Sequence, residues 1–444
     1  MTRKLVLCPN LPEEIGPVFE KVECEIRTVS LLFGGGSEAG KVDVDYPIRE
    51  TEIRGMLRFW WRATIGAKYP NYQTMREAES VIWGATDMPS SVNVKVNVDE
   101  TDVQENTEQK IANNNNKNEQ WRFSGDYSYI LFPWNEDIKD AYGKTENICK
   151  KIAKFKLSLD YSDNKMSKNI ENEIIKNLKE DEKKNLTKEE LKRKTDEKLK
   201  YLQLNGDFAL KENIEIALKA WINFGGYGAR TRRGCGALEC DKYSFKTEDE
   251  VKDFLKVIPN EKKEWPTLGD VFIGNCNWME LIKIYREFRQ QRTPADPREK
   301  HPHRSYWPEP DALRRITGKH SNGHDPMNYN PDKVFPRAEF GLPIMFEIRG
   351  EGEPGKNNVV PEQGERFSSP VIISMSLPAF VFLNGPRPDK VKIDKRKDIY
   401  SVKWQKTSPD NRHRLNLVTE SGSALDKFKE HIKDKDFKSL RGTK

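Results

Sequence analysis

Apolar and polar positions alternate through KVECEIRTVSLLFGGG (21–36), which predicts a strand running into three glycines. Further on, Ile53, Met56, Leu57, Trp60, Trp61 and Ile65 recur at helical spacing, so IRGMLRFWWRATIG (53–66) reads as an amphipathic helix. SVNVKVNV (91–98) alternates strictly and predicts a half-exposed strand with Val92, Val94, Val96 and Val98 on one face. YSYILF (127–132) and KFKLSLDY (154–161) read as strands. NIEIALKAWINFGGYGARTRRGCGALECDKYSF (213–245) then reads as helix, glycine-rich loop and strand.

Two stretches interrupt this series. Residues 99–120, with IANNNNKNEQ, are polar and of low complexity and are expected to be disordered. Residues 162–200, with KNLKEDEKKNLTKEELKRKTDEKLK, read as a solvated helical insertion laced by paired charges. Without them, 20–245 runs strand–helix–strand–strand–helix–strand. That is the ferredoxin-like order, a sheet with helices on one face. Residues 246–444 form a second unit: a helix at 278–291, an irregular Pro-, His- and Arg-rich stretch at 292–340, strands at 342–348, 369–377 and 379–383, and a short amphipathic helix near 424–433. Pattern alone does not give its topology. The chain is thus expected to be α+β, divided into 1–245 and 246–444.

Composition narrows the partners only slightly. The 444 residues carry a net charge of +6, with 33% charged and 36% hydrophobic positions. So mild an excess does not by itself demand a polyanion, and clustering matters more than the total. Cys8, Cys24, Cys149, Cys235, Cys240 and Cys276 contain no C-x-x-C pair and read as reduced thiols of a cytoplasmic protein. The longest apolar run, PVIISMSLPAFVFL (370–383), is short for a bilayer and holds an internal proline, so no membrane partner is expected.

The chemistry lies in the clusters. Arg54, Arg58 and Arg62 sit four apart and line up on one helix face, where like charges repel by a few tenths of a kcal/mol per pair. Such a stripe needs an anion. GGYGARTRRGCG (225–236) packs five glycines and three arginines, Arg230, Arg232 and Arg233, into twelve residues between a helix and a strand. Glycine lets the backbone approach a ligand, successive N–H groups can form an anion nest, and guanidinium forks fit phosphate. The segment lacks the G-x-x-x-x-G-K-[ST] pattern and precedes a strand, so a nucleotide P-loop is disfavoured. LFGGGSEAG (32–40) is a third glycine-rich, anion-friendly turn. A clamp on a nucleic-acid backbone is the expectation.

LLFGGG, IRGMLRFWWRA and GGYGARTRRGCGAL together resemble the signature segments of RAMP proteins in CRISPR effector complexes, most of all the first subunit of the type III-B (Cmr) complex. SYWPEPDALRR (305–315), FPRAEFGLPIMF (335–346) and RFSSPVII (366–373) are similar to that family's C-terminal half, while 99–120 and 162–200 are unmatched. The resemblance implies two ferredoxin-like (RRM-related) units. It implies a non-catalytic RNA-binding subunit that holds the 3′ part of guide RNA (crRNA) and its paired target RNA beside other RAMP subunits, without cofactor or metal. Arg54 and Arg58 match the family's basic helix, and Arg230, Arg232 and Arg233 its glycine-arginine loop. The candidate contacts around these motifs are Gly34, Gly35, Gly36, Arg49, Trp60, Trp61, Arg62 and Gly228, with Arg304, Trp307, Arg314 and Arg315 added from the second unit.

The alternative is a metal-independent endoribonuclease with a histidine general base. His301, His303, His320 and His324 cluster in HPHRSYWPEPDALRRITGKHSNGH, with His320 and His324 four apart. Zinc is conceivable there, but no cysteine joins the group, and its Gly, Pro and Asn content favours an RNA- or partner-facing loop.

Overall fold

The computed structural model describes residues 19–30, 32–33, 46–98, 103–105, 129, 149–152, 154–205, 209–292, 304–326, 333–404 and 417–441. Strands β1 (Glu20–Thr28), β3 (Val92–Val98), β6 (Phe155–Tyr161) and β7 (Leu238–Glu239) form an antiparallel sheet in the order β3-β6-β1-β7. Val22, Leu159 and Val94 stand side by side across it. They are buried, while Glu23, Lys95 and Lys156 on the opposite face are exposed, as the period of two requires. Short strands β2 (Leu32–Phe33), β4 (Val103–Glu105) and β5 (Cys149–Ile152) pair among themselves as β2-β5-β4.

Helices α1 (Glu50–Ala63) and α6 (Ala209–Phe224) pack together over the buried face of the first sheet. Between them in sequence come α2 (Tyr72–Trp83), capped by the Asn71 side chain on the Thr74 N–H, and the helices α3 (Asp163–Asn177), α4 (Glu180–Asn185) and α5 (Lys188–Tyr201). These last three occupy the stretch predicted as a charged helical insertion, and α4 buries no residue at all. The thread continues through α7 (Glu248–Val257).

A second sheet repeats the plan of the first. β8 (Thr267–Ile273), α8 (Trp278–Gln290), β11 (Val371–Ser374), β12 (Ala379–Asn384), α10 (Ala424–Lys433) and β15 (Lys438–Ser439) give the sheet order β11-β12-β8-β15. Its strands are buried on both faces. Leu268, Val271, Ile372 and Val381 join the core under the first sheet, whereas Phe272, Val371, Ile373, Phe380 and Phe382 join a core with Tyr285 and Phe288 of α8 and Phe428 of α10. The α1–α6 layer is therefore sandwiched between two sheets. This explains why α6 buries ten of its side chains over a wide arc, with Lys211, Glu212, Glu215 and Lys219 forming its less buried stripe.

Between these elements in sequence lie α9 (Glu309–Thr317) and a further sheet, β14-β13-β10-β9, of β9 (Ile344–Ile348), β10 (Gly355–Pro361), β13 (Lys390–Ile393) and β14 (Ile399–Ser401). Ala312, Leu313, Phe335, Val359 and Val391 form their shared core.

Several expectations are corrected. The stretch 292–340 is not irregular throughout, because α9 opens on Pro308–Pro310 and stops at Gly318 in the left-handed region, a proline-start and glycine-stop pair. Of the strand expected at 127–132 only Tyr129 is described. Its backbone is helical, and its ring lies 6.4 Å from Tyr285. Within 99–120, residues 103–105 are extended and pair with β5, and the remainder lies outside the described residues. No helix among the described residues is long and apolar enough to cross a membrane.

Candidate nucleic-acid interface

The glycine-arginine loop starts where α6 ends. The loop closes on itself through Tyr227 N–H, which donates to Gly236 O at 2.9 Å, and Trp221 Nε1, which donates to Gly226 O at 2.9 Å. Gly236 has φ +61, and a Cβ there would lie 1.9 Å from Tyr227 O, so only glycine fits. Gly228 (φ 82) and Gly234 (φ 83) are also left-handed, and so is Arg230 (φ 60). The end of β1 docks on the loop. Ser30 Oγ donates to Gly234 O at 2.7 Å and accepts from Ala237 N–H at 2.8 Å. The start of α1 docks as well, with Arg49 N–H on the Tyr227 hydroxyl at 2.9 Å and Gly228 N–H on Glu52 Oε1 at 3.3 Å. The approach to the first glycine-rich turn, the basic helix and the glycine-arginine loop thus meet at one corner. Gly34, Gly35 and Gly36 themselves lie outside the described residues.

Arg232 and Arg233 reach from this corner to the edge of the second sheet and to α8. Arg232 donates to Ser369 O and its guanidinium lies 5.6 Å from the centre of the Phe59 ring. Arg233 donates to Val371 O at 3.2 Å and to the Tyr285 hydroxyl at 3.0 Å, and lies 4.6 Å over the Tyr285 ring. Neither is within ion-pair distance of a described carboxylate. Burial, with repulsion from Arg233, pushes Arg232 down to about 10. Burial also lowers Arg230, and the charges of Arg233 and Arg366 lower it further. The result is a concentration of positive charge on carbonyls and aromatic faces.

The remaining candidates behave differently. The anion that holds the α1 stripe is internal. Glu79 of α2, with a fully buried side chain, accepts from Arg58 Nε at 2.7 Å, Arg62 Nη1 at 2.6 Å and Arg76 Nη1 at 2.8 Å. Burial alone would raise its pKa, but Arg62, Arg58 and Arg76 outweigh it and hold the carboxyl below its usual range. Arg54, one turn earlier, has a buried Nε without a hydrogen-bond partner. Arg49 pairs with Glu52 at 3.4 Å.

Trp60 and Trp61 are not open to bases. Both are core residues, Trp61 donating to Asn213 Oδ1 at 2.6 Å and Trp60 lying 6.2 Å from Phe224. Trp307 is likewise fully buried, its Nε1 on Phe288 O at 3.1 Å. Arg314 is buried between Glu353 (2.7 Å) and Asp311 (3.0 Å), Arg304 is buried beside Asp311, and Arg315 donates to Pro326 O at 3.4 Å. These residues build a structural polar network, in which burial alone would raise Glu353 but hydrogen bonds from Arg314, Ser321 and His324 bring it down to about 2. His324 Nδ1 sits 2.7 Å from Glu353, while His301 and His303 lie outside the described residues. Among the described residues no cluster of three or more His, Cys, Asp or Glu side chains is placed to hold a metal.

Sequence reasoning missed Glu79 and Arg76 altogether, because nothing in the α1 motif indicates a partner in another helix. Phe59 and Tyr285, which carry Arg232 and Arg233, were visible only as members of amphipathic helices.

Residues 25–239 match the family model described as the RAMP superfamily. Among solved structures, the chain is similar to Cmr1 from Pyrococcus furiosus in its apo form, at 15% identity and a TM-score of 0.45, over 95% of this chain and 99% of that one. It is also similar to a chain of the type III-B Cmr-beta complex bound to cognate target RNA, at 12% identity and a TM-score of 0.40, over 93% and 99%. No curated protein matches it.

Proposed function

We propose that this chain, whose residues 25–239 belong to the RAMP superfamily, is a non-catalytic RNA-binding subunit of a type III-B CRISPR effector complex. In this reading it holds the 3′ part of guide RNA, its paired target RNA, or both, and docks beside other RAMP subunits. The carrying observation is the glycine-arginine loop, where Arg232 and Arg233 are positioned by carbonyls and aromatic rings with no described carboxylate to cancel them. Uncancelled guanidinium charge at the seam between two sheets attracts phosphate irrespective of base identity. A guide-holding protein has that need, since pairing reads the sequence and the protein reads the backbone.

Two ferredoxin-like units, 1–245 and 246–444, are part of the proposal. Each sheet places its first strand between its third and fourth, the split arrangement of that fold. RNA is not expected on the outer face of the first sheet, which presents Glu23, Glu25, Lys95 and Lys156 in place of the aromatic platform of RRM sheets.

The test mixes purified chain with labelled single-stranded RNA at about 50 and 200 mM salt, with and without chelator, on native and denaturing gels. With about four phosphate contacts, affinity falls on the order of fifty-fold between these salts. The RNA stays intact, and Arg54→Ala weakens binding without loss of folded protein. Salt-independent binding refutes the phosphate clamp. Cleavage at a fixed position replaces it with the nuclease reading.

A further inference from the structure

A second concentration of cationic charge lies at the seam of α1 and α2. Arg58, Arg62 and Arg76 all converge on the two oxygens of Glu79, at 2.6–2.8 Å. Three positive charges face one negative charge, and no other described carboxylate is within ion-pair distance of the three arginines. A purely structural bridge would balance its charges, because uncompensated charge near the interior is costly. Here a surplus of two remains, and the three side chains stay between about a quarter and less than half exposed, at 23%, 30% and 43%. Glu79 locks one edge of each guanidinium and so pre-orients the others.

An aromatic ring stands beside this surplus. Tyr72 opens α2 one turn before Arg76 and is 48% exposed, one of few large apolar side chains left in water among the described residues. Its ring is 6.2 Å from that of Trp265, whose Nε1 donates to Arg62 O at 3.3 Å, so the tyrosine is braced against the arginine helix. Fixed surplus charge next to a braced, open ring is the combination that binds single-stranded nucleic acid, phosphate on the arginines and base on the ring.

We propose that Arg58, Arg62, Arg76 and Tyr72 form a second RNA-binding site, distinct from the glycine-arginine loop, that takes one phosphate and its adjoining base from an unpaired RNA strand. An acidic peptide would use the charge but leave Tyr72 idle. This site rests on the reading of the chain as an RNA binder, and the experiment separates the two.

Full-length Tyr72→Ala and Arg76→Gln are compared with the unmodified chain for affinity to a fluorescent mixed-sequence single-stranded RNA across a salt series, with a poly-glutamate peptide as a second probe. Both changes lie at exposed positions, and in the second Glu79 keeps Arg58 and Arg62. Tyr72→Ala is expected to weaken RNA binding about 5- to 140-fold, the range of one base–aromatic stack. Arg76→Gln is expected to reduce the salt slope by roughly 0.7, one phosphate contact on a single strand. If the unmodified chain binds RNA, Arg54→Ala weakens that binding, and both new variants bind as the unmodified chain does, the second site is overturned and the loop reading stands. If Arg76→Gln lowers affinity for poly-glutamate while Tyr72→Ala changes nothing, the site is for acidic protein and this proposal fails. No RNA binding by the unmodified chain overturns both readings.

Discussion

Glu79→Gln removes the charge on which three arginines converge. The substituted amide keeps one oxygen for Arg58 and Arg62, but its NH2 now faces Arg76 Nη1, donor against donor. Breaking a fully buried pair by removing one partner costs about 3–5 kcal/mol. The arginines retain some water, at 23%, 30% and 43% exposure, which discounts that figure to about 2–4 kcal/mol. Urea unfolding read by tryptophan fluorescence measures it, since Trp60, Trp61 and Trp83 are buried in the same core. The midpoint falls while the slope stays unchanged. The sign with pH follows from the depressed carboxyl. Its contribution is present above the unfolded value near 4.5 and is lost as pH falls through the folded value, which lies lower. The gap between wild type and variant therefore closes in acid. A loss below about 0.5 kcal/mol at neutral pH, or a gap independent of pH, would refute the view of Glu79 as the counter-ion of the α1 stripe.

Gly236→Ala puts a Cβ 1.9 Å from Tyr227 O and breaks the closure of the glycine-arginine loop, whereas Gly318→Ala, at a similar φ of +67, meets open space. Thermal or urea unfolding should show a loss of about 3 kcal/mol or more for the first and about 1 kcal/mol for the second, and equal losses would remove the packing argument. Glu353→Gln leaves His324 without its carboxylate and Arg314 with Asp311 alone. With Glu353 depressed from 4.5 to about 2, wild type holds an advantage of up to about 3 kcal/mol above pH 4.5 that fades as pH falls toward 2, and a variant equal to wild type at pH 7 would contradict it. Asn213→Leu strands the Trp61 indole N–H and should cost about 1–3 kcal/mol in the same unfolding assay, an unchanged midpoint showing that the bond contributes nothing.

Local periodicity carried most of the first sheet. The alternation at 91–98 and 154–161 became β3 and β6, and the apolar stripe over 53–66 became α1, displaced to 50–63. What was not legible was what covers each face. A strand such as β11 or β12 that is buried on both sides shows no alternation, so its sheet could not be placed from pattern. The same blindness misled the reading of Trp60 and Trp61. On a helix with one wet face, two adjacent indoles point in different directions and one of them meets solvent. Here the second sheet lies over α1 and α6 and both indoles are buried. The arginine stripe was read as facing a nucleic-acid backbone, whereas Arg58 and Arg62 already share an internal anion, Glu79. Its partner sits 17 residues beyond Arg62 in a helix that the pattern did not announce.

The sandwiched helix layer also decides which arginines can report on binding. Arg232 and Arg233 fasten the glycine-arginine loop to the edge of the second sheet at Ser369 and Val371. Removing either one alters charge and docking together, so a weakened variant would not tell recognition from assembly. Arg54 and Arg76 are different. Arg54 has an Nε that no described group satisfies, and Arg76 is the most exposed of three arginines sharing Glu79. Substituting either subtracts a charge while every inter-sheet contact stays in place. If RNA affinity follows the charge at these two positions with the unfolding midpoint held, the cations act on a ligand. If affinity moves only when Arg232 or Arg233 is changed and the midpoint moves with it, the loop is a fastener between the two sheets and RNA is bound elsewhere.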